Sequence, residues 1–428
     1  MNLLLKHISK LETRNSKLSI TGSKSETNRL LLLQALYPNI ILGNTSNSDD
    51  SDVMSKALEN SQPETRNPKL IDVHHAGTAM RFLTAFFAIQ EGKEVVLTGS
   101  SRMKERPIKI LVEALQQLGA EITYEEKEGF PPIKIKGNKL TQNKVSLPAN
   151  VSSQYISALL LIAPKLENGL ELTLEGEITS IPYIKMTLAL LNEIGVETSF
   201  TNNIISVQPT TYNLQPTTLT IESDWSSASY WFSIVALSEI GIEITLSSYK
   251  QNSLQGDSVL SEIYKDFGVE TIFNKDNSIT ISKFTTHNLK PKTYNLNICP
   301  DIAQTIAVTC FGLGISCNLT GLHTLKIKET DRLEALKTEL SKLGANISVT
   351  NDSLTLEPNS FFETKNSPPL EGCPSGGVAT YQDHRMAMAF APLALKTSLI
   401  IENAEVVSKS YPTFWEDLKK VGFKIKKV

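Results

Sequence analysis

With 428 residues, 40% of them hydrophobic and 20% charged, and a formal net charge of −3, the chain has the profile of an ordinary globular protein long enough for two or three domains. So neutral a balance offers no bulk attraction to nucleic acid or to an anionic membrane, and any basic character that matters must be local. The longest apolar runs, around Leu30–Leu33 and Leu159–Ala163, are helix-core sized and far short of the roughly 18–20 residues that a membrane-spanning helix needs.

The first ten residues, MNLLLKHISK, place four apolar residues before Lys6 and have no small-residue cleavage site, so they read as a strand and not as a signal peptide. An apolar helix follows at SKSETNRLLLLQAL, and similar ones recur at AGTAMRFLTAFFAI, SSQYISALLLIA, SDWSSASYWFSIVAL, PDIAQTIAVTCFG and YQDHRMAMAFAPLAL. Helices that are apolar nearly all round are buried, and the Ser, Asp, Thr and Gly in their first turns suit capping of the free N–H groups. Between them run a second set of helices, amphipathic and ending in a hydrophobic residue followed by Gly, at ILVEALQQLGAEITY, MTLALLNEIGVETSF, LSEIYKDFGVETIF, LEALKTELSKLGANISV and FWEDLKKVGFKIKKV. Their glycines, Gly119, Gly195, Gly268, Gly344 and Gly422, are 76, 73, 76 and 78 residues apart. Each is expected in the left-handed position after a helix C-terminus, where the chain turns back as a strand. A sixth, degenerate copy begins at Asp49–Leu58 without its Gly. Short strands are expected at Glu94–Thr98, Gly169–Leu174 and Ile242–Leu246.

Six α/β units of about 75 residues, each too small to bury its own core, should associate in groups. A solenoid is one arrangement, but buried central helices favour compact domains with three units each. The segment LTIESDWSSAS, strand-like to Glu222 and helical beyond it, sets the crossing between domains at Glu222–Ser223.

Helix N-termini bind anions, because free N–H groups and the macrodipole both face the ligand. Here several also carry cations. Lys24 and Arg29 flank the first buried helix, Arg81 lies one turn into the second, and His384 and Arg385 sit in the last. Arg102, Lys104 and Arg106 precede an amphipathic helix in RMKERPI, with Pro107 expected at its first position, and Lys328 and Arg332 bracket another in IKETDRLEAL. These could be solvated surface charges, but Arg29, Arg81 and Arg385 fall inside apolar segments where an unpaired charge is costly. Together they point to a site for a polyanionic small molecule. Two acids stand amid the cations. Asp301 could be a helix N-cap and Glu329 an i,i+3 partner of Arg332, or the two could serve as general acid and base. Cys299, Cys310, Cys317 and Cys373 form no CxxC pair and suit free thiols in a reducing cytoplasm; no metal-binding spacing such as HExxH occurs, and neither metal nor cofactor is expected.

In combination, GSKSETNR (22–29), AGTAMR (76–81), RMKERPI (102–108), SSQYISALL (152–160), PDIAQTIAV (300–308), IKETDRL (327–333) and YQDHRMAMAF (381–390) closely resemble the EPSP synthase family, the 3-phosphoshikimate 1-carboxyvinyltransferases among the enolpyruvyl transferases. The likeness runs from about residue 5 to the end of the chain. It implies a two-domain inverse αβ barrel of six βαβαββ repeats, with residues 23–222 as one domain, 1–22 with 223–428 as the other, and the active site in the interdomain cleft. It further implies a cytoplasmic, monomeric enzyme of aromatic amino acid biosynthesis in the shikimate pathway, acting on phosphoenolpyruvate and shikimate 3-phosphate. Carried over by matching motif, Ser25, Arg29, Ser152, Ser153, Gln154, Ser180, Tyr183, Asp301, Thr324 and Lys328 would bind shikimate 3-phosphate. Lys24, Gly77, Arg106, Gln154, Arg332, His384, Arg385 and Lys409 would frame phosphoenolpyruvate, while Asp301, Glu329 and Lys24 would be catalytic. The chain departs from the family pattern at His75, Phe82, Ser223, Thr324 and Gln382, where Asn, Pro, Gly, Asn and Asn are usual. A related enzyme of cell-wall synthesis, which takes UDP-N-acetylglucosamine, typically has a loop cysteine; the stretch GSSRMKERP has none, and all four cysteines lie beyond residue 298. A non-catalytic anion-binding protein on the same fold would have no need of Asp301, Glu329 and Lys24, and a kinase-type GxxxxGK[ST] loop is absent.

Overall fold

The computed structural model describes residues 1–11, 15–59, 68–150, 152–176, 178, 181–210, 217–286, 289, 292–358 and 377–428. The chain forms two compact units: a continuous one, Gly22–Ile221, and a discontinuous one, Met1–Thr21 with Glu222–Val428. Both are mixed α/β.

The helices of the continuous unit are α1 (Lys24–Leu36), α2 (Asp49–Glu59), α3 (Gly77–Ala88), α4 (Ser101–Lys104), α5 (Lys109–Gln117), α6 (Ser153–Ile162) and α7 (Ile181–Glu193). Those of the discontinuous unit are α8 (Trp225–Leu237), α9 (Leu260–Ile263), α10 (Ala303–Leu313), α11 (Arg332–Lys342), α12 (His384–Phe390) and α13 (Phe414–Lys420). All five glycines of the repeat have positive φ, from 75° at Gly268 to 105° at Gly422, a backbone that a side chain resists. Helix α2 covers the degenerate copy, and residues 60–67 after it lie outside the described residues.

One strand pattern recurs. In the continuous unit Lys69–Asp72 runs parallel to Glu94–Thr98, across α3, and Glu94–Thr98 is antiparallel to Ile133–Lys136, which pairs with Glu121–Tyr124. Lys144–Pro148, Leu170–Glu175, Ile204–Val207 and Thr198–Thr201 repeat that order around α6. In the discontinuous unit Lys292–Asn295, Cys317–Thr320, Leu354–Leu356 and Ile347–Val349 repeat it around α10. The last copy is completed by the chain's beginning, since Leu3–Lys6 lies between Leu399–Ile401 and Lys424–Lys427.

At two places the first strand of a copy is exchanged. Asn15–Leu18 precedes α1 in sequence but runs parallel to Glu243–Leu246, the strand after α8. Thr217–Thr220 precedes α8 yet runs parallel to Ile40–Gly43, the strand after α1. The chain therefore passes between units twice, at Thr21–Gly22 and Ile221–Glu222. In the continuous unit Asn44 Nδ2 donates to Ile221 O at 2.8 Å, and a Cβ on Gly22 would come within 2.8 Å of Ile221 Cγ2. In the discontinuous unit Ser223, where the family pattern has Gly, donates to Ile20 O at 2.5 Å.

The central helices are buried as their composition predicts. Every residue of α8 except Ser226 is buried, and each fully buried Leu, Ile, Val or Phe contributes roughly 1.5–3 kcal/mol. Their hydroxyls must then find partners within the core. Ser229 meets Thr305 at 3.0 Å, Thr309 donates to Ser233 at 2.8 Å, and Gln154 Nε2 donates to Thr78 Oγ1 at 3.1 Å. All three pairs are 76 residues apart, so equivalent positions of successive repeats touch across parallel helices. Among the described residues no helix is long and apolar enough to cross a membrane.

Candidate active site

In the continuous unit the first turns of α1, α3, α6 and α7 come together. Arg29, one turn into α1 and 3% exposed, donates Nε to Thr187 Oγ1 at 2.8 Å and Nη2 to Ser157 Oγ at 2.9 Å. Its Nη1 donates to Ser25 O at 2.7 Å, and its guanidinium lies 5.5 Å from the Phe82 ring centre and 5.8 Å from that of Tyr183. Phe82, which departs from the family pattern, is thus a cation–π support for Arg29. Most of the Arg29 donors point at protein acceptors and hold α1 against α6 and α7. Burial pushes its pKa down to about 10, with the Tyr183 and Glu26 charges opposing. Lys24, the first residue of α1, reaches Asp50 Oδ2 of α2 at 3.3 Å.

Gly77 opens α3, and the reason for a glycine there is specific. A Cβ would lie 2.8 Å from Arg106 Nη2 and 2.9 Å from its Cζ, so the guanidinium rests directly over the helix N-terminus. Arg81, a turn on, donates to Gly77 O at 3.1 Å and to Pro107 O at 3.0 Å. Burial, with help from the Arg106 charge, pushes Arg81 down to about 10. Among the described residues neither Arg81 nor Arg106 has a carboxylate within ion-pair distance, which leaves two cations and a helix terminus without a counter-anion. Pro107 is not the first helical residue expected of it. Helix α5 starts at Lys109, and the Pro107 carbonyl instead accepts from Arg81 and, at 2.6 Å, from Tyr155 Oη. Arg102 and Lys104 pair with Glu105 and Glu126 at the surface, at 2.9 and 2.6 Å. Ser152 caps α6 by accepting from Gln154 N at 3.4 Å, and Ser153 is its buried first residue. Ser180 lies outside the described residues.

In the discontinuous unit one guanidinium organises the candidates. Arg332 opens α11 behind its N-cap Asp331 and is 2% exposed. Its Nη1 meets Asp301 Oδ1 at 2.8 Å, its Nη2 meets Glu329 Oε2 at 2.8 Å, and its Nε meets Asp383 Oδ2 at 2.6 Å. Asp301, in the turn just before α10, also faces Lys328 Nζ at 3.4 Å and Arg385 Nη2 at 3.5 Å. Arg385 donates as well to Asp301 O at 3.1 Å and to Ser226 Oγ at 3.2 Å. Lys409 donates to Gln382 O at 2.7 Å, and Tyr381 and Gln382 hold positive φ (53° and 59°) just before the cap of α12. His384 is buried at the start of α12. The hydroxyl oxygen of Thr324 is buried and has no hydrogen-bond partner among the described residues.

Burial alone would raise the pKa of Asp301, but the charges of Lys328, Arg385 and Arg332 outweigh it and hold the carboxyl well below the usual range. Arg332 is likewise buried against its own charge, and Asp383, Glu329 and Asp301 more than offset that cost. Asp301 does not cap α10 with its side chain; the carboxylate is committed to the cations. Glu329 is indeed the i,i+3 partner of Arg332, and through it a near neighbour of Asp301.

Sequence reasoning gave no role to Asp383, although it lies within YQDHRMAMAF. It caps α12 by accepting from Arg385 N at 2.8 Å and also anchors Arg332. An Asp immediately before a helix is a readable N-cap signal. Asp50 and Thr78 are no easier to read; the run DDSD marks a helix start, but nothing local ties it to Lys24. Asp257, which accepts from Ser226 Oγ, carries no sequence signal at all.

A family model described as EPSP synthase (3-phosphoshikimate 1-carboxyvinyltransferase) matches residues 41–418. A protein of Bacteroides fragilis (strain YCH46) named 3-phosphoshikimate 1-carboxyvinyltransferase is 46% identical over 413 residues, 96% of each chain. One of the same name from Histophilus somni (strain 2336) is 33% identical over 445 aligned positions, 98% of this chain and 99% of that one. The solved structure of an EPSP synthase from Acinetobacter baumannii superposes with a TM-score of 0.77 at 20% identity, covering 100% of this chain and 99% of that one, a likeness of fold.

Proposed function

The chain belongs to the EPSP synthase family, and from that premise we propose that it transfers the carboxyvinyl group of phosphoenolpyruvate to the 5-hydroxyl of shikimate 3-phosphate, releasing phosphate. On this reading the six strand–helix–strand copies make two inverse αβ barrels of three units each, as the contacts 76 residues apart support. The observation that carries the chemistry is Arg332, which holds two different carboxylates, Asp301 and Glu329, each at 2.8 Å. General acid–base work needs such a pair with unlike environments.

Glu329, with the smaller share of the cations, delivers a proton to the methylene carbon of phosphoenolpyruvate. The adjacent carbon becomes oxocarbenium-like, and the 5-hydroxyl oxygen attacks it as Asp301 takes the hydroxyl proton. The product is a tetrahedral phospho-ketal. Its bond to the phosphate oxygen then breaks, the departing phosphate takes the proton held by Asp301, the methyl group returns a proton to the Glu329 carboxylate, and inorganic phosphate leaves. In the ligand-free state Asp301 is a poor base because three cations surround it. Anionic substrates draw on the same Lys328, Arg332 and Arg385, so their arrival raises the proton affinity of Asp301 when it is needed.

Phosphoenolpyruvate would be taken by Lys24, Gly77 and Arg106 of the continuous unit and by Arg332, His384, Arg385 and Lys409 of the discontinuous one, and Arg106 without a carboxylate partner among the described residues supports this. Shikimate 3-phosphate takes Ser25, Ser152, Ser153, Gln154, Tyr183, Lys328 and the unsatisfied hydroxyl of Thr324, with Arg29 holding Ser25 in position. Ser180 belongs to this set by its motif. The enzyme works as a cytoplasmic monomer, in keeping with Cys299, Cys310 and Cys317 being buried free thiols. Glu329→Gln and Asp301→Asn test the assignment. Each lowers kcat by about 10²–10⁴, and phosphate release at the unaltered rate in either variant would defeat it.

A further inference from the structure

A cavity of about 210 Å³ lies at the C-terminal ends of α8 and α10, the opposite ends from those that approach Asp301 and Arg385. Along α8 the distance from Ser226 to Leu237 is about 17 Å at 1.5 Å per residue. Leu237, Leu313 and Leu289 give the cavity apolar walls, and Ser238 lies on its rim. Gly312 permits the close packing that shapes it, since a Cβ there would come within 2.8 Å of Leu237 Cδ2 and 3.0 Å of Leu393 Cδ2.

Two lysines also line this space, Lys283 and Lys396. Lys283 is 2% exposed, and its ammonium donates to Phe267 O at 2.7 Å, which uses one of three N–H donors. Lys396 is half-buried. Among the described residues neither has a carboxylate within ion-pair distance. Burial, and then the charge of Lys396, pushes Lys283 down to about 8, and burial lowers Lys396 as well. Two neighbouring cations removed from water without a counter-anion are costly, and an arriving anion would relieve that cost. A lone lysine could be explained as satisfying helix-terminal carbonyls, but among the described residues Phe267 O accounts for one donor only, and the Lys396 ammonium has no such acceptor.

We propose that this cavity is a second ligand site, distinct from the Arg332 centre, that takes a small carboxylate with an apolar body, the carboxylate between Lys283 and Lys396 and the body against Leu237 and Leu313. The size of the ligand follows from the volume, which equals that of about seven liquid waters. A ring bearing one carboxylate fits, whereas a nucleotide does not. The shape argues against a bare inorganic anion, which would leave the leucine wall unfilled.

Ligand-detected NMR titration of the whole protein with benzoate, and separately with inorganic phosphate, tests this. Benzoate should bind saturably, Lys396→Ala and Lys283→Met should each weaken it about tenfold, and Lys396→Ala should leave kcat unchanged. If Lys283→Met does not fold, the half-buried Lys396→Ala decides alone. Absence of saturable benzoate binding, binding unaffected by Lys396→Ala, or phosphate binding at this site as tightly as benzoate would each overturn the proposal.

Discussion

Replacing Arg332 by Met removes the charge at the centre of the carboxylate cluster while nearly keeping its volume. Removing one partner of a buried ion pair typically costs about 3–5 kcal/mol, because the other charge is left uncompensated. The three carboxylates differ in what remains to them. Asp301 keeps Lys328 and Arg385 at 3.4 and 3.5 Å, and Glu329 is exposed enough to turn to water. Asp383 is 0% exposed, and among the described residues its oxygens keep the Arg385 N–H and, at 4.0 Å, His384 Nδ1. The loss is therefore concentrated on a single carboxylate, and the expected cost is the lower end of that range, about 3 kcal/mol. All three tryptophans, Trp225, Trp231 and Trp415, belong to the discontinuous unit, so their fluorescence in a urea titration reads this unit alone. Arg332→Lys should recover part of the loss, since a compact ammonium cannot serve three carboxylates at once. A loss below about 1 kcal/mol for Arg332→Met would mean that Asp383 is not held by this charge, and the network would have to be abandoned.

Gly77→Ala should leave urea unfolding followed by far-UV circular dichroism, which also reads the continuous unit, unchanged while raising the KM for phosphoenolpyruvate about tenfold or more, because only the mobile end of Arg106 must move; steady-state kinetics read it, and an unchanged KM would contradict the placement of Arg106 over α3. Burial, reinforced by Asp301 and opposed by Arg385 and Ser226, raises the Asp257 carboxyl from 3.8 to about 6. Its contribution to stability is thus complete below pH 3.8 and lost as pH rises through about 6, a difference of about 3 kcal/mol. Asp257→Asn should accordingly match the unaltered protein near pH 3.5 and exceed it in urea resistance near pH 8, and a variant weaker at the higher pH would reverse the sign of the argument.

Much of this architecture is written in local chemistry. A Gly after each amphipathic helix marks a turn wherever it occurs, so Gly119 to Gly422 reveal the repeat without any tertiary information. Residues whose partners are near in sequence are equally legible: Glu329 and Arg332 share one helix entry. The exchange of Asn15–Leu18 with Thr217–Thr220 is not legible, because each strand would fit either neighbour and only long-range pairing selects one. The same holds for Asp257 and Ser226, which meet across 31 residues with no periodic pattern joining them. Arg29 shows a subtler limit. Its place in a motif suggests a ligand contact, yet two of its donors go to Ser157 and Thr187, which come from the third repeat unit of the chain. Lys283 and Lys396 look like ordinary surface lysines until the fold buries them.

The central claim is most directly tested by coupled detection of inorganic phosphate from phosphoenolpyruvate. Release should require shikimate 3-phosphate, with both substrates saturable and one phosphate formed per carboxyvinyl group transferred. Release without an acceptor, or with UDP-N-acetylglucosamine in place of shikimate 3-phosphate, would contradict the account.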